Sequence, residues 1–167
     1  MTFSTQITEL ARTTLEACRK SGLTIATAES CTGGLIAAAL TEIAGSSDVV
    51  ECGFVTYSNQ AKYRMLGVPL ENTNGPPGAV SALVAQLMVE GALERSGTDI
   101  GIAVTGIAGP GGGTKEKPVG LVYLAAKRKG GEVLVEECHF ADRGRSTIRE
   151  ETTIKALHML TALAASK

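Results

Sequence analysis

Residues 23–43 have the sequence LTIATAESCTGGLIAAALTEI, and they decide the fold. The β-type run Leu23–Ala28 leads into a short turn, Glu29–Gly34, and a helical stretch follows over Leu35–Ile43 and stops near Gly45. A strand, a glycine-containing turn and a helix in immediate succession are typical of α/β proteins.

The rest of the chain continues this alternation. Further helices are predicted at about 4–21, 58–67 and 80–97, with a last one after 145. Further strands are predicted at 49–57, 100–104, 119–128 and 133–140, the last two forming a hairpin across 129–131. The proline-containing segment 70–78 is predicted to be a loop, and 105–118 a glycine-rich loop. This order predicts a three-layer α/β/α sandwich on a mixed, mostly parallel sheet with one late antiparallel strand.

Length and composition limit the class of protein. A chain of 167 residues predicts one domain over residues 1–167. A net charge of -1 and an aromatic content of 4% argue against a nucleic-acid partner. The chain has no apolar run of about 20 residues, which argues against a membrane span. Its N-terminus lacks the pattern of a signal peptide, so a cytoplasmic location is expected. The four cysteines form no CxxC pair, so no metal site is predicted.

Three potential nucleophiles, Ser30, Cys31 and Thr32, lie on the turn between the first strand and its helix. Backbone N–H groups at the start of a helix are free to bind an oxyanion or a phosphate. The alternative is that Ser30 or Thr32 only caps the helix and that Gly33 and Gly34 only permit the turn. For Cys31, the role of a small buried hydrophobic residue is favoured over that of a nucleophile.

Tyr57 ends the predicted strand 49–57, and Lys62 follows it. A lysine at the edge of an apolar site can lose its proton and act as the base for a serine. A solvated lysine on a helix surface is the alternative. The neighbouring tyrosine and the presence of only two histidines favour the catalytic interpretation.

The loop 105–118 contains the string TGIAGPGGGT, which suggests a cradle of backbone amides for phosphate. It lacks the Gly-Lys-Ser/Thr of a Walker A loop, and a strand rather than a helix follows it. A flexible surface loop is the alternative. Asp142 and Arg143, with Arg149 further on, suggest either a contact to a ligand phosphate or a structural salt bridge between Asp142 and an arginine.

Several strings, in their order along the chain, resemble the CinA C-terminal domain family. They are AESCTGG (28–34), FVTYSNQAK (54–62), GAVS (78–81), GIAGPGGG (106–113), KPVG (117–120) and FADR (140–143). The resemblance covers nearly the whole chain and implies the same α/β/α sandwich. Members that stand alone at this length resemble nicotinamide-mononucleotide deamidase. The resemblance therefore implies hydrolysis of nicotinamide mononucleotide to nicotinate mononucleotide and ammonia, without a metal or other cofactor.

The family's functional residues are transferred by motif. Ser30 matches the nucleophile, Lys62 the catalytic lysine and Tyr57 the motif tyrosine. Tyr57 is expected to relay the proton between Ser30 and Lys62, or to orient the Lys62 amine by a hydrogen bond. The predicted substrate-binding residues are Glu29, Cys31, Thr32, Gly33, Gly34, Thr105, Gly109, Gly111, Gly112, Arg143 and Arg149. In two places the chain departs from the family pattern, with Pro77 where members usually have histidine and Ala141 where they usually have glycine.

Two other functions stay open at this point. The same loops could form a non-catalytic, regulatory nucleotide-binding module, or the protein could be an amidase for another small amide. The partner expected in each case is a small molecule, and the sequence also leaves open a homo-oligomer.

Overall fold

The computed structural model describes residues 3–166. Its helices and strands alternate along most of the chain. The helices are α1 (Thr5–Ser21), α2 (Leu35–Thr41), α3 (Asn59–Leu66), α4 (Leu70–Asn74), α5 (Ala82–Ser96) and α6 (Arg145–Ala165), with a 3₁₀ turn at Ser46–Asp48. The strands are β1 (Ile25–Glu29), β2 (Val50–Val55), β3 (Ile100–Gly106), β4 (Leu121–Arg128) and β5 (Val133–His139).

The five strands form one sheet in the order β2-β1-β3-β4-β5. Strands β2, β1 and β3 are parallel to one another, and β4 is antiparallel to both of its neighbours. Strand β5 therefore has the same direction as β3, and β4 alone among the described strands is reversed. The predicted mixed sheet with one late antiparallel strand is confirmed.

Helices cover both faces of the sheet. The side chains of β3 are large on one face and small on the other, and this difference determines how closely a helix can pack against each face. Ile100, Ile102 and Val104 belong to the core shared with α1, α2 and α6. The alternate positions, Gly101 and Ala103, face α5, and a Cβ added at Gly101 would lie 3.1 Å from Val89. Small side chains on this face allow α5 to lie close against the sheet.

Several predicted helix ends coincide with capping residues. The Ser4 hydroxyl accepts the Ile7 N–H at the start of α1, and Gly22 ends that helix in the left-handed conformation. The Ser58 hydroxyl accepts the Ala61 N–H and begins α3. The prediction of a loop over 70–78 was wrong for its first half, which forms α4. Pro69 precedes that helix at its N-cap, where a missing N–H breaks no helical hydrogen bond.

Candidate active site

The site lies where the three parallel strands end. The Ser30 N–H donates to the Val104 carbonyl of β3 at 3.1 Å, and the Thr56 N–H donates to the Glu29 carbonyl of β1 at 2.8 Å. These two bonds extend the sheet by one residue beyond β1 and β2. Ser30 therefore lies between its neighbouring strands, at the edge where ligands of parallel α/β sheets bind.

A serine–lysine pair occupies the centre of this edge. Lys62 Nζ lies 3.0 Å from Ser30 Oγ and 2.7 Å from the Thr56 carbonyl oxygen. The lysine is on α3, only 1% exposed. Burial lowers the pKa of its ammonium to about 8 from the ordinary 10.5, because desolvation penalises the charged form. A neutral amine can take a proton from Ser30 while Thr56 holds it in place.

The alternation of side chains along β1 explains why Ser30, rather than its neighbours, faces Lys62. Ala28 belongs to the core beside α5, and Ser30 continues the same face. Cys31 belongs instead to the core on the opposite face and is 5% exposed. Burial raises the pKa of its thiol to about 12, so the thiol stays protonated and a poor nucleophile.

Glu29 does not have the substrate-binding position that was predicted for it. Its side chain is 0% exposed. It accepts hydrogen bonds from the hydroxyls of Thr27 and Thr32 and from the N–H groups of Gly34, Ile36 and Ala37, at 2.7–3.2 Å. These donors surround both carboxylate oxygens, so Glu29 caps the start of α2 from inside the protein and is closed to a ligand.

The turn 31–34 offers fewer free backbone donors than the sequence suggested. The Gly33 N–H donates to the Ser30 carbonyl at 3.0 Å, and the Gly34 N–H donates to Glu29. Within residues 3–166, the N–H groups of Cys31 and Thr32 donate to no other residue. These two groups, directly after Ser30 in the chain, are the ones available for an oxyanion.

The structure gives Tyr57 a different partner from the predicted one. Its ring is 60% exposed, and its hydroxyl accepts a hydrogen bond from Arg145 at 2.7 Å. The prediction that Tyr57 orients the Lys62 amine was therefore wrong, since the Thr56 carbonyl does this instead. Because the Tyr57 hydroxyl is bound to Arg145 and lies outside the Ser30–Lys62 pair, it does not relay a proton between Ser30 and Lys62.

Arg145 is the residue that sequence reasoning missed. Its guanidinium donates to the Tyr57 hydroxyl after β2 and to the Gly109 carbonyl after β3, at 2.7 and 2.8 Å. Because β1 lies between β2 and β3, this side chain spans the end of β1, where Ser30 lies. One signal could have identified it: a basic residue in the first turn of a helix is unfavourable for the helix dipole, so such a position suggests another role.

The two arginines chosen from the sequence have other contacts. Arg143 is exposed and pairs with Glu151, whereas the structural alternative had paired an arginine with Asp142. Arg149 donates to the Thr32 carbonyl at 2.8 Å and so supports the turn that follows Ser30. Thr105 is buried, and its hydroxyl donates to the Ala79 carbonyl at 2.8 Å. Arg145 lies across the opening of the site, and none of these three side chains does.

The glycine-rich loop after β3 borders the same opening. Gly109 is buried and its carbonyl is held by Arg145, whereas Gly111 and Gly112 are exposed. Among the described residues, the N–H groups of Gly109, Gly111 and Gly112 have no acceptor. The loop therefore presents several free donors beside the guanidinium, as a phosphate cradle requires.

The fold and the site together define an α/β protein with a buried serine–lysine pair at the carboxyl ends of its parallel strands. A family model described as the CinA C-terminal domain matches residues 7–164. The chain belongs to the CinA C-terminal domain family. The family resemblance of the sequence is thereby confirmed.

Similar proteins carry CinA-related names. A CinA-like protein from Akkermansia muciniphila is 56% identical over 135 residues, 81% of this chain and 32% of that protein. One from Parasynechococcus marenigrum is 48% identical over 158 residues, 95% of this chain and 38% of that protein. The chain spans about a third of the length of these curated relatives.

Solved structures share the fold over almost the whole chain. The competence/damage inducible protein CihA from Agrobacterium tumefaciens superposes with a TM-score of 0.94 at 56% identity, over 98% of each chain. A CinA superfamily protein from Escherichia coli gives a TM-score of 0.88 at 33% identity, over 99% of this chain and 95% of that one.

Among the helices of residues 3–166, none combines the length and the apolar character that crossing a bilayer requires.

Proposed function

We propose that this protein is an amidohydrolase that converts nicotinamide mononucleotide to nicotinate mononucleotide and ammonia. The observation that carries the proposal is the 3.0 Å contact between Ser30 Oγ and the amine of Lys62, which is 1% exposed and has its pKa lowered to about 8. A lysine that is neutral in part near neutral pH can serve as the base of a serine nucleophile. Membership in the CinA C-terminal domain family supports the choice of substrate.

In the first half of the reaction, Ser30 Oγ attacks the carboxamide carbon while its proton passes to Lys62 Nζ. The negative charge that develops on the carboxamide oxygen is bound by the N–H groups of Cys31 and Thr32. Lys62 then gives its proton to the departing nitrogen, the C–N bond breaks, and ammonia leaves. The pyridine acyl group remains on Ser30 as an ester.

In the second half, water attacks the ester carbonyl and transfers a proton to Lys62. The C–O bond to Ser30 breaks, the proton returns to Ser30 Oγ, and the carboxylic acid product leaves and ionises. Thr56 holds the amine through both halves, since its carbonyl accepts from Lys62 at 2.7 Å.

Recognition of the nucleotide is assigned to Arg145 and the glycine-rich loop. Both side-chain contacts of Arg145 are to uncharged oxygens, of Tyr57 and Gly109, so its positive charge has no anionic partner in these contacts. A phosphate is a stronger acceptor than either oxygen. Arg145 therefore replaces Arg143 and Arg149 as the phosphate ligand.

The direct test is ammonia release from nicotinamide mononucleotide by purified protein treated with a chelator. We expect steady release by the wild type, and Ser30→Ala is expected to reduce kcat by about a thousandfold or more. Cys31→Ala is the matched control and is expected to stay within about threefold of the wild type. Loss of activity in Cys31→Ala with retention in Ser30→Ala would contradict the serine mechanism.

The same assay separates the other two functions. Nucleotide binding by calorimetry without any ammonia release would favour a non-catalytic, regulatory module, because Arg145 and the loop can bind phosphate without turnover. A higher kcat/KM for a different small amide would favour another amidase. A panel of amides, compared by kcat/KM, decides between these outcomes.

A further inference from the structure

Lys117 lies at the end of the glycine-rich loop and joins it to a distant part of the chain. Its Nζ donates to the Val80 carbonyl at 2.7 Å and to the Pro77 carbonyl. Both acceptors belong to the segment 77–80, which precedes α5 and has no helical or strand structure. Hydrogen bonds from an ammonium are stronger than those from a neutral donor, so this contact is a firm tether between two segments.

The segment 77–80 is itself fixed next to the nucleophile. Thr105 donates to the Ala79 carbonyl at 2.8 Å. Thr105 directly follows Val104, whose carbonyl accepts the Ser30 N–H at 3.1 Å. Lys117 therefore fastens the glycine-rich loop to a segment whose position is set by the same end of β3 that supports Ser30.

Contacts hold the loop mainly at its two ends. Arg145 donates to Gly109 at one end. At the other, the Thr114 N–H donates to the Lys117 carbonyl at 2.8 Å, and the Lys117 N–H donates to the Thr114 hydroxyl at 3.0 Å. The residues 110–113 between these ends are exposed. Because this stretch is almost entirely glycine, its conformation depends on how firmly the ends are fixed.

We infer that Lys117 is a positioning residue that holds the glycine-rich loop in the conformation that binds the nucleotide. This inference rests on the nucleotide-binding role proposed above for the loop. Lys117 acts on the loop and is not hydrogen-bonded to Ser30 or Lys62, so its loss weakens binding and leaves the chemical step unchanged. The physical reason is that a loop not fixed in advance must be ordered when the ligand binds, which lowers affinity.

The test compares Lys117→Met, which removes the ammonium and keeps an unbranched side chain, with Lys115→Met. Lys115 is an exposed residue of the same loop, so it serves as the matched control. For Lys117→Met we expect the Kd and KM for nicotinamide mononucleotide to rise by about tenfold, with kcat within about twofold of the wild type. The pH dependence of kcat is expected to stay the same. Lys117→Arg, which keeps the charge, is expected to restore part of the affinity.

Hydrogen exchange of the Thr114 and Lys117 amides, which are the hydrogen-bonded amides at this end of the loop, tests the tether independently of catalysis when it is measured without ligand. We expect faster exchange in Lys117→Met and wild-type exchange in Lys115→Met. Unchanged exchange, unchanged nucleotide affinity, or a fall in kcat at constant KM would each overturn the inference. If the wild type binds the nucleotide but releases no ammonia, the proposed activity fails, whereas exchange and affinity still decide the role of Lys117.

Discussion

At the scale of single residues, the proposed chemistry depends on the amine of Lys62. Its pKa of about 8 leaves about one molecule in ten with a neutral lysine at pH 7. The proposed mechanism therefore predicts that kcat/KM rises with pH through a single ionisation near 8 and is constant above it. A pH–rate profile measures this directly.

Two variants separate the role of Lys62 as a base from a role of its charge. Lys62→Arg keeps a positive charge that does not dissociate in this range, so we expect it to be nearly as inactive as Lys62→Ala. Substantial turnover by Lys62→Arg would show that the residue supplies charge or position and that the base is another group.

The same pKa shift predicts an effect on stability. The folded-state pKa of Lys62 lies below the unfolded value of 10.5, so between about 8 and 10.5 the unfolded chain binds more protons. The destabilisation from burying this amine, of the order of 3 kcal/mol, is complete below pH 8 and disappears as the pH rises to 10.5.

Lys62→Met is therefore expected to be more stable than the wild type near pH 7. The gain is about 1–3 kcal/mol, because the Thr56 carbonyl loses its donor and offsets part of it. Urea unfolding at about pH 7 and about pH 10 checks this, with the gain shrinking at the higher pH. A gain that is equal at both values would contradict the lowered pKa.

At the scale of elements, Glu29 organises the link between β1 and α2. All five of its described hydrogen bonds are donated to the carboxylate, so Glu29→Gln turns one acceptor into an NH₂ group that faces other donors. We expect a loss of about 2–4 kcal/mol in the free energy of unfolding. A lower kcat is also expected, because the turn that carries Ser30 shifts.

Glu42→Gln provides the control for this substitution. Glu42 is an exposed residue at the C-terminal end of α2, and the change there is expected to stay within about 0.5 kcal/mol of the wild type. Denaturant unfolding of both variants gives the comparison. Equal stability of Glu29→Gln and Glu42→Gln would show that the buried carboxylate does not hold α2.

The close packing of α3 against α5 is a feature of the fold that the sequence did not predict. Gly91 is a buried residue of α5, and the sequence alone gives no reason for a glycine there. In the structure a Cβ at Gly91 would lie 2.0 Å from the Leu66 carbonyl oxygen, so the glycine permits the end of α3 to touch α5. Because α3 carries Lys62, this close contact with α5 also fixes the position of Lys62.

At the scale of the whole molecule, Arg145 connects three parts of the fold over the end of β1. If it binds the substrate phosphate, Arg145→Ala raises the KM for nicotinamide mononucleotide by about 10- to 100-fold. For nicotinamide riboside, which lacks the phosphate, the wild type is expected to be a poor catalyst and the substitution to change little. Steady-state kinetics with both substrates measure the difference.

Arg143→Ala is the matched control, since it removes an arginine that pairs with Glu151 instead. It is expected to leave the KM for both substrates unchanged. An equal loss of kcat/KM for the nucleotide and the riboside in Arg145→Ala would remove the assignment of this residue to phosphate.

Local patterns in the sequence were sufficient for the order of the five strands and of every helix except α4. Segment 23–43 predicts a strand, a turn and a helix, and Gly22 and Ser58 mark helix ends, because caps and side-chain periods act over a few residues. Motif resemblance identified Ser30 and Lys62, and the structure brings them to 3.0 Å across 32 residues of chain.

Only the tertiary structure decided which partner each remaining polar side chain has. The bond between Arg145 and Tyr57 joins residues 88 positions apart, and that between Arg149 and Thr32 joins residues 117 apart. Glu29 turns inward because the free N–H groups of α2 surround it there. A hydrogen bond requires two groups within about 3 Å, and separations of this kind are set by the packing of α2, α3 and α6 on the sheet rather than by neighbouring residues in the chain.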